Sequence, residues 1–318
     1  MRAPRPRRAP AILRWAPVIA LGVVALGVGA RWVDLTWRLP QVQSVFPVFG
    51  GMAVLLLLAM LAARRWRLAA AAALVAAAPV VIGVQSMTGD TVPPGPRDEV
   101  VMTSNLELGS ADPREVVAAV RAQRVTTLVL TECTPPQLAR LRAAGLDTLL
   151  PEQAGQTADG PRGTVIRSRH PLRLIALHPG GRFPFSPEVQ VGTGRGSYRL
   201  RAVHTAAPLP DIVGDWRAGL RSIGAWQKNL PQRENVVMAG DFNASAAMPA
   251  FRKAIDGMTD SSRAAGAGWR RTWPHGRAYP PFVQLDHVVS RGFGVVRDGT
   301  VAIAGTDHLT YWARLRPQ

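Results

Sequence analysis

Val236-Val237-Met238-Ala239-Gly240-Asp241-Phe242-Asn243 sets a carboxylate and a carboxamide two residues apart at the end of an apolar run. The apolar residues read as a buried strand, and the glycine lets the backbone turn sharply so that the polar side chains beyond it reach a cleft. Strand side chains alternate with a period of two, so Asp241 and Asn243 are expected on one side. A negative oxygen beside a neutral amide suits a hydrated metal, or a phosphate under attack by water. The same tetrapeptide is rich in turn formers, and a turn alone would account for it. Its neighbours along the chain decide between the two.

Short apolar runs alternate with helical stretches on either side of this strand. Val100–Ser104 and Thr126–Thr131 read as strands, separated by a helix that begins at Asp112-Pro113-Arg114-Glu115 and runs to about Arg124. Asp112 is the expected N-cap, Pro113 takes the first position, and Glu115 completes the cap. A second helix is expected over 136–144, then strands over Gly163–Arg167 and Leu172–Leu177. Val189–Val191 and Tyr198–His204 read as a hairpin, a longer helix covers 210–230, and 283–289, 294–297 and 309–315 supply the last strands. Strands outnumber helices, which favours a mixed α/β sandwich over a doubly wound sheet.

The first ninety or so of the 318 residues differ in character. No charge occurs from Trp15 to Ala30, over the 25 residues Leu39–Ala63, or over the 22 residues Leu68–Gly89. Since about 20 apolar residues cross a bilayer core, three transmembrane helices are expected, at about 11–31, 42–63 and 68–87. The first qualifies if Arg14 snorkels, and a signal peptide is the competing reading of it. Arg2, Arg5, Arg7 and Arg8 precede the first run, and Arg64, Arg65 and Arg67 separate the second from the third. Arginine-rich segments stay in the cytoplasm, which puts the amino terminus inside and everything after the third span outside. Residues 1–92 are therefore expected as a membrane anchor, 93–99 as a linker broken by Pro93, Pro94 and Pro96, and 100–318 as an exterior domain.

The net charge is +17, of which +9 falls on residues 93–318 with 28 basic and 19 acidic residues. A basic exterior would attract phosphates or anionic headgroups. Cys133 is the single cysteine, so no intrachain disulfide forms and the domain is held by its own core. Cys133 itself reads as a small packing residue.

Polar residues stand at strand ends in a pattern that a core alone does not require. They are Asn105, Glu132, His204, Asp241, Asn243, Asp286, Asp307 and His308. The ordered series Ser104-Asn105, Thr131-Glu132, Gly163 to Arg169, His204-Thr205, Gly240 to Asn243, Leu285-Asp286-His287 and Thr306-Asp307-His308 resembles the endonuclease/exonuclease/phosphatase superfamily. That group includes pancreatic-type deoxyribonuclease, abasic-site endonucleases, inositol polyphosphate phosphatases and neutral sphingomyelinases. The resemblance spans about residues 97–318 and implies a four-layered α/β sandwich whose strand ends meet at one metal-dependent site.

It further implies hydrolysis of a phosphoester by in-line attack of water. Glu132 would be the main ligand of a hard divalent cation, magnesium with manganese as the alternative, with Asn105 and Asp307 completing or bracing the shell. Asp241 would orient or deprotonate the water and Asn243 would bond a phosphoryl oxygen. His308 and His204 would flank the phosphate, with Asp286 holding His308 in its useful tautomer. Trp273 in Thr272-Trp273-Pro274 would wall the cleft, while His170, His178 and His275 match no required position. Some nucleases of the group carry a further glutamate in the middle strands, where this chain has arginines between Arg162 and Arg169.

Anchor and domain together resemble bacterial membrane proteins associated with teicoplanin resistance. The resulting expectation is a membrane-anchored, exterior-facing phosphoesterase acting on a lipid-linked envelope phosphate or diphosphate, with the lipid bilayer as partner and no obligate protein partner. An extracellular nuclease and a catalytically silent envelope-binding module are the alternatives.

Overall fold

The computed structural model describes residues 11–35, 38–180, 183–194, 196–268 and 270–318. The tail arginines and the side chains of Arg14 and His178 lie outside the described residues. The elements run α1 (Ala11–Gly29), α2 (Leu39–Ser44), α3 (Phe46–Ala62), α4 (Trp66–Met87), β1 (Glu99–Asn105), α5 (Pro113–Gln123), β2 (Thr127–Thr131), α6 (Pro135–Ala143), α7 (Leu146–Leu149), β3 (Glu152–Gln156) and β4 (Thr164–Ser168). They continue through β5 (Leu172–Gly180), β6 (Phe183–Thr193), β7 (Gly196–His204), α8 (Val213–Asn229), β8 (Val236–Asp241), α9 (Pro249–Ala254), β9 (Thr259–Asp260), α10 (Ser261–Ala264), β10 (Asp286–Arg291), β11 (Phe293–Val301) and β12 (Thr310–Pro317).

Two six-stranded sheets carry the domain, in the orders β11-β12-β1-β2-β4-β3 and β5-β6-β7-β8-β10-β9. Alternation along the strands builds the layers. Val101, Val129, Ile166, Tyr311 and Ala313 of the first sheet meet Val189, Leu200, Ala202, Val237, Ala239 and Val288 of the second. The intervening residues Met102, Leu128, Leu130 and Val165 face out under Val116, Val120, Leu138 and Leu141 of α5 and α6. Val203, Met238 and Val289 likewise face out under Trp216, Leu220, Ile223 and Phe251 of α8 and α9. Each central strand is thus covered on both faces, which is why Val236–Ala239 is continuously apolar. The result is the expected four-layered sandwich.

Both sheets contain one parallel pair, and these pairs position the site. β1 and β2 run parallel with Asn105 beside Thr131, and β7 and β8 run parallel with His204 beside Asp241. Antiparallel neighbours begin where these pairs end, because β10 sets Asp286 beside Asp241 and β12 sets Tyr311 beside Thr103. Strand ends and strand starts therefore collect at one edge.

Three local expectations change. Gly240 lies inside β8 rather than in a turn; its φ is +147° and a Cβ there would stand 1.8 Å from the Val203 carbonyl oxygen, so its role is close approach of β7. Asp112 does cap α5, accepting from the N–H groups of Arg114 and Glu115, but Glu115 accepts from Ala304 N–H at 2.7 Å instead of closing the cap. The stretch before β1 is pinned, with Asp90 N–H donating to Ala264 O and Val92 N–H to Val295 O, both at 2.8 Å.

Three apolar helices precede the domain, but among the described residues only two, Trp15–Trp32 and Trp66–Met87, are long and apolar enough to cross a membrane. The expected span over 42–63 is shortened to the 17 residues Phe46–Ala62. Pro47 near its start lacks an N–H, and its ring blocks continuation from α2. At 1.5 Å per residue α3 reaches about 25 Å, short of a core of about 30 Å. Val24, Val28, Phe46, Ala53 and Ala76 pack the helices together, and Ala247 of the domain joins them.

Replacing Gly240 with alanine is expected to cost at least about 3 kcal/mol, combining unfavourable φ with overpacking. Gly257 has φ +84° but nothing within 4 Å of a Cβ, so Gly257→Ala should cost only about 1 kcal/mol. Chemical unfolding of both variants measures the difference. Equal losses would mean that β7 and β8 can part without penalty.

Candidate active site

Asn105 closes β1 and Glu132 directly follows β2. Glu132 adopts φ +54°, a left-handed conformation rare outside glycine and asparagine, which takes its side chain out of the line of the strand. The Asn105 amide nitrogen donates to Glu132 Oε1 and to Asp241 Oδ2, each at 3.1 Å, and so ties the two sheets together. Asn105 Oδ1 accepts from Glu107 N–H at 2.9 Å, and Glu132 Oε2 from Leu108 N–H at 2.8 Å. Glu107 and Leu108 also have positive φ, 42° and 54°, so this loop is bent to aim its amides at the two side chains.

On the other sheet, strand alternation stops at Asp241. Asn243 has φ +47° and is held by its own N–H, which donates to Asp241 Oδ1 at 2.7 Å. This is an Asx turn, so the turn reading of the tetrapeptide holds, with both side chains kept at the same strand end. The Asn243 side-chain nitrogen spans Thr205 O at 3.0 Å and Asp241 Oδ2 at 3.4 Å.

Two imidazoles complete the arrangement. His308 Nδ1 bonds Asp286 Oδ2 at 2.8 Å, while its Nε2 stands 3.9 Å from both Asp241 Oδ2 and Asp307 Oδ1. His204 Nε2 lies 3.8 Å from Glu132 Oε1 and 4.0 Å from Asp241 Oδ2. These separations exceed direct hydrogen bonding, leaving the inner faces of the rings free for an incoming group.

Charge divides the two histidines. Burial opposes a charge on His308, but Asp286 and Asp241 outweigh it and push the imidazole up to about 10. Burial dominates at His204 and holds it below the usual imidazole range despite Asp241. Burial also raises Asp241, with His308 acting against it. The two imidazoles around a shared carboxylate are thus pushed in opposite directions, the divergence expected of groups with different protonic roles.

Asp241, Asp286 and His308 offer ligand atoms that all lie within 4.8 Å of one another, and Asp286 Oδ1 is buried without a hydrogen-bond partner. An orphaned carboxylate oxygen among several carboxylates fits a hard divalent cation. Asn105 and Glu132 meet directly, and Asp307 lies beside His308, with Oδ1 3.9 Å from the same Nε2 that faces Asp241 and Oδ2 accepting from Trp273 Nε1 at 3.0 Å.

Sequence reasoning passed over Thr272 as a positioning group: its Oγ1 accepts from the N–H groups of Leu285 and Asp286 and fixes the start of β10. It also passed over Arg277, whose guanidinium lies 3.8 Å from Glu107 and 4.0 Å from Asp307 at the open side. Nothing distinguishes Arg277 from the many other arginines before folding. His170 sits apart, 3.1 Å from Glu99, and Cys133 is fully buried with its thiol pushed up to about 12 by burial.

A model of the Endonuclease/Exonuclease/phosphatase family matches residues 102–308. The chain belongs to this family. Its fold is similar to that of an endonuclease/exonuclease/phosphatase from Beutenbergia cavernae, with 23% identity and TM-score 0.51 over 70% of this chain and 72% of the other. A humanized D. rerio TDP2 has TM-score 0.57 at 15% identity, covering 69% of this chain and 99% of that one. A family protein from Bacteroides thetaiotaomicron has TM-score 0.54 at 14% identity, over 70% and 98%. No curated protein matches the chain. Members of this family are typically metal-dependent hydrolases of phosphoester bonds.

Replacing Asp286 with asparagine in the metal-free protein is expected to lower the His308 titration from about 10, read by NMR of the imidazole carbons. His308 contributes stability in full below about 6.5. That contribution is lost as pH rises through about 10. Wild type should therefore lose more stability than the variant across this window. An unchanged titration would show that Asp241 and Asp307 alone hold the charge.

Proposed function

We propose that the chain is a membrane-anchored, exterior-facing, divalent-metal-dependent phosphoesterase whose substrate is a lipid-linked phosphate or diphosphate. The observation that carries the hydrolytic part is the convergence of the Asp286–His308–Asp241 array with Glu132 and Asn105 across the two sheets. Glu132 would be the main holder of the cation, with Asn105 and Asp307 completing or bracing the shell. When bound, that ion neutralises phosphate charge and stabilises the leaving oxygen.

The protein's own groups do the remainder. Asp241, raised by burial, orients the attacking water and takes up its proton. Asn243 exchanges its long 3.4 Å contact to Asp241 for a phosphoryl oxygen. His308, locked through Nδ1 by Asp286, presents a charged Nε2–H to the phosphate, and neutral His204 hydrogen-bonds it from the opposite flank. Trp273 holds Asp307 in place at the wall.

The membrane part is supported by the surface of the helices. Trp15, Ile19, Leu26, Leu55, Leu74 and Val84 are exposed although strongly apolar. Trp15 and Trp66 are exposed at the helix ends remote from the domain, where interfacial tryptophans collect. Tethering raises the effective concentration of a membrane-bound substrate. A nucleic-acid substrate is favoured by one observation, the fold similarity to a D. rerio TDP2 complexed with a single-strand DNA product, at 15% identity and TM-score 0.57.

Purified full-length chain should release phosphate from a polyprenyl diphosphate with magnesium, and lose this activity with chelator. Glu132→Gln, Asp241→Asn and His308→Ala should each lower the rate by about 10² to 10⁴. DNA cleavage without release from the lipid would select the nuclease. Unchanged activity in all three variants would remove the enzymatic reading.

A further inference from the structure

The carboxyl end of α1, the amino end of α3 and the carboxyl end of α4 all lie against the domain, and a cavity of about 600 Å³ opens between them. This volume falls in the range of small-molecule sites, about 300–1,000 Å³. Its helical wall is apolar, with Phe46, Val54, Val80, Ile82 and Met87, and its domain wall is built by Ser245–Ala247, Val283 and Gln284. Those two domain segments continue directly into Asn243 and Asp286. The cavity therefore lies behind the loops that carry the catalytic edge, and not within the site itself.

Positive charge gathers at its rim. Arg31 and Arg263 line the cavity, and Arg252 adjoins them, donating to the Ala246, Ala247 and Arg31 carbonyl oxygens at 3.1, 2.8 and 2.8 Å. Arg31 is buried, donates to Ala246 O at 3.0 Å, and lies 4.9 Å over the Phe46 ring. The three guanidinium groups stand close enough to repel one another, and burial together with Arg263 lowers Arg252. Among the described residues none of the three meets a carboxylate within ion-pair distance, although the nearby Arg270 is paired with Asp298. Ser245, which also lines the cavity, carries a buried hydroxyl with no partner. Three buried or half-buried cations without an anion are costly unless a ligand supplies one.

We propose that this cavity binds one phosphate-bearing lipid, its apolar chain lying among Phe46, Val54, Val80 and Ile82 and its phosphate meeting Arg31, Arg252 and Arg263. Apolar lining joined to an uncompensated cationic rim at the end of membrane-type helices matches an anionic amphiphile at headgroup depth. A small apolar molecule would leave the arginines unpaired, and a free phosphate would leave the apolar wall wet. The site rests on the membrane reading of the helices but not on hydrolysis.

Full-length chain in nonionic detergent, with chelator present, is titrated with phosphatidylglycerol, with diacylglycerol of the same chains, and with glycerol phosphate, and bound lipid is counted by native mass spectrometry. One phosphatidylglycerol per chain is expected, with diacylglycerol and glycerol phosphate each at least about tenfold weaker, a difference of about 1.4 kcal/mol. Arg252→Gln combined with Arg263→Gln should weaken phosphatidylglycerol at least about tenfold. Gly51→Leu combined with Gly83→Leu should do the same by filling the cavity, since both glycines line it and have open space beside them. Should one double variant fail to fold, the other decides. Equal binding of glycerol phosphate or diacylglycerol, or wild-type affinity in a folded variant, overturns the proposal. Partition of the wild-type chain into vesicles is read alongside: an aqueous chain overturns the membrane reading itself, whereas a vesicle-bound chain without lipid selectivity overturns only the site.

Discussion

The close parallel contact of β7 with β8 at Gly240 is the constraint on which the rest of the site depends. Only a residue without a Cβ lets the Val203 carbonyl come this near, and the register that follows sets His204 beside Asp241. Thr205 N–H then donates to Asp241 O and Phe242 N–H to Leu285 O, so the strands on both sides of β8 are locked to its last residues. Asp286 is fixed relative to Asp241 by the same ladder. A shift of one residue in this pairing would turn every alternate side chain of β8 from the inter-sheet core toward the helices. Hydrophobic burial therefore enforces the catalytic register without any contribution from the polar groups.

Those polar groups are then held in an arrangement that folding alone would not favour. Asp241 and Asp286 are buried side by side, and Asp286 adds to burial in raising Asp241. His308 relieves the strain by bonding one and facing the other, and Asn105 relieves it by offering both hydrogens of one amide to carboxylates of different sheets. One oxygen of Asp286 remains without a partner. Left-handed backbone at Glu132, Asn243, Glu107 and Leu108 adds conformational cost at the same edge. Strain and unsatisfied charge are concentrated in one place, within a domain otherwise regularly packed, the pattern by which functional sites are recognised.

Much of this was legible in the sequence because it rests on apolar runs and on polar residues that interrupt them. β1, β2 and β8 are buried along their length and read as mainly apolar segments whose ends mark Asn105, Glu132 and Asp241, while β7 alternates, with Arg199 and Arg201 between apolar residues, up to His204. β3 was not legible: Glu152-Gln153-Ala154-Gly155-Gln156 is an edge strand with only Ala154 buried, and carries no apolar period. The pairing of Glu115 with Ala304 bridges a long sequence separation, and a local capping pattern cannot reveal it. The amino-terminal helical region shows the opposite failure. Absence of charge over Leu39–Ala63 marks an apolar segment correctly but is blind to Pro47, which divides it into two helices. Orientation of an amide is equally hidden, since a sequence can name Asn105 but not say that its nitrogen faces the two carboxylates.

The helices and the domain are also less separable than composition suggests. Arg31 and Arg252 exchange bonds with Ala246, Ala247 and each other, Asp34 pairs with Arg217 of α8 at 2.7 Å, and Gly268 N–H reaches Ser86 O at the end of α4. Apart from the α8 pair, these contacts fall on the loop that leaves Asn243 and on the segment around α10, so the backbone behind the polar edge is braced from the helix side. A freely swinging tether would need none of them. The apolar helices therefore act as part of the scaffold of the site, and removing them exposes Ala247 and frees the Ser245–Ala247 turn from its support. Loops that carry catalytic groups keep their geometry only as well as the packing beneath them allows. In this chain that packing comes from the apolar helices and the arginines at their ends.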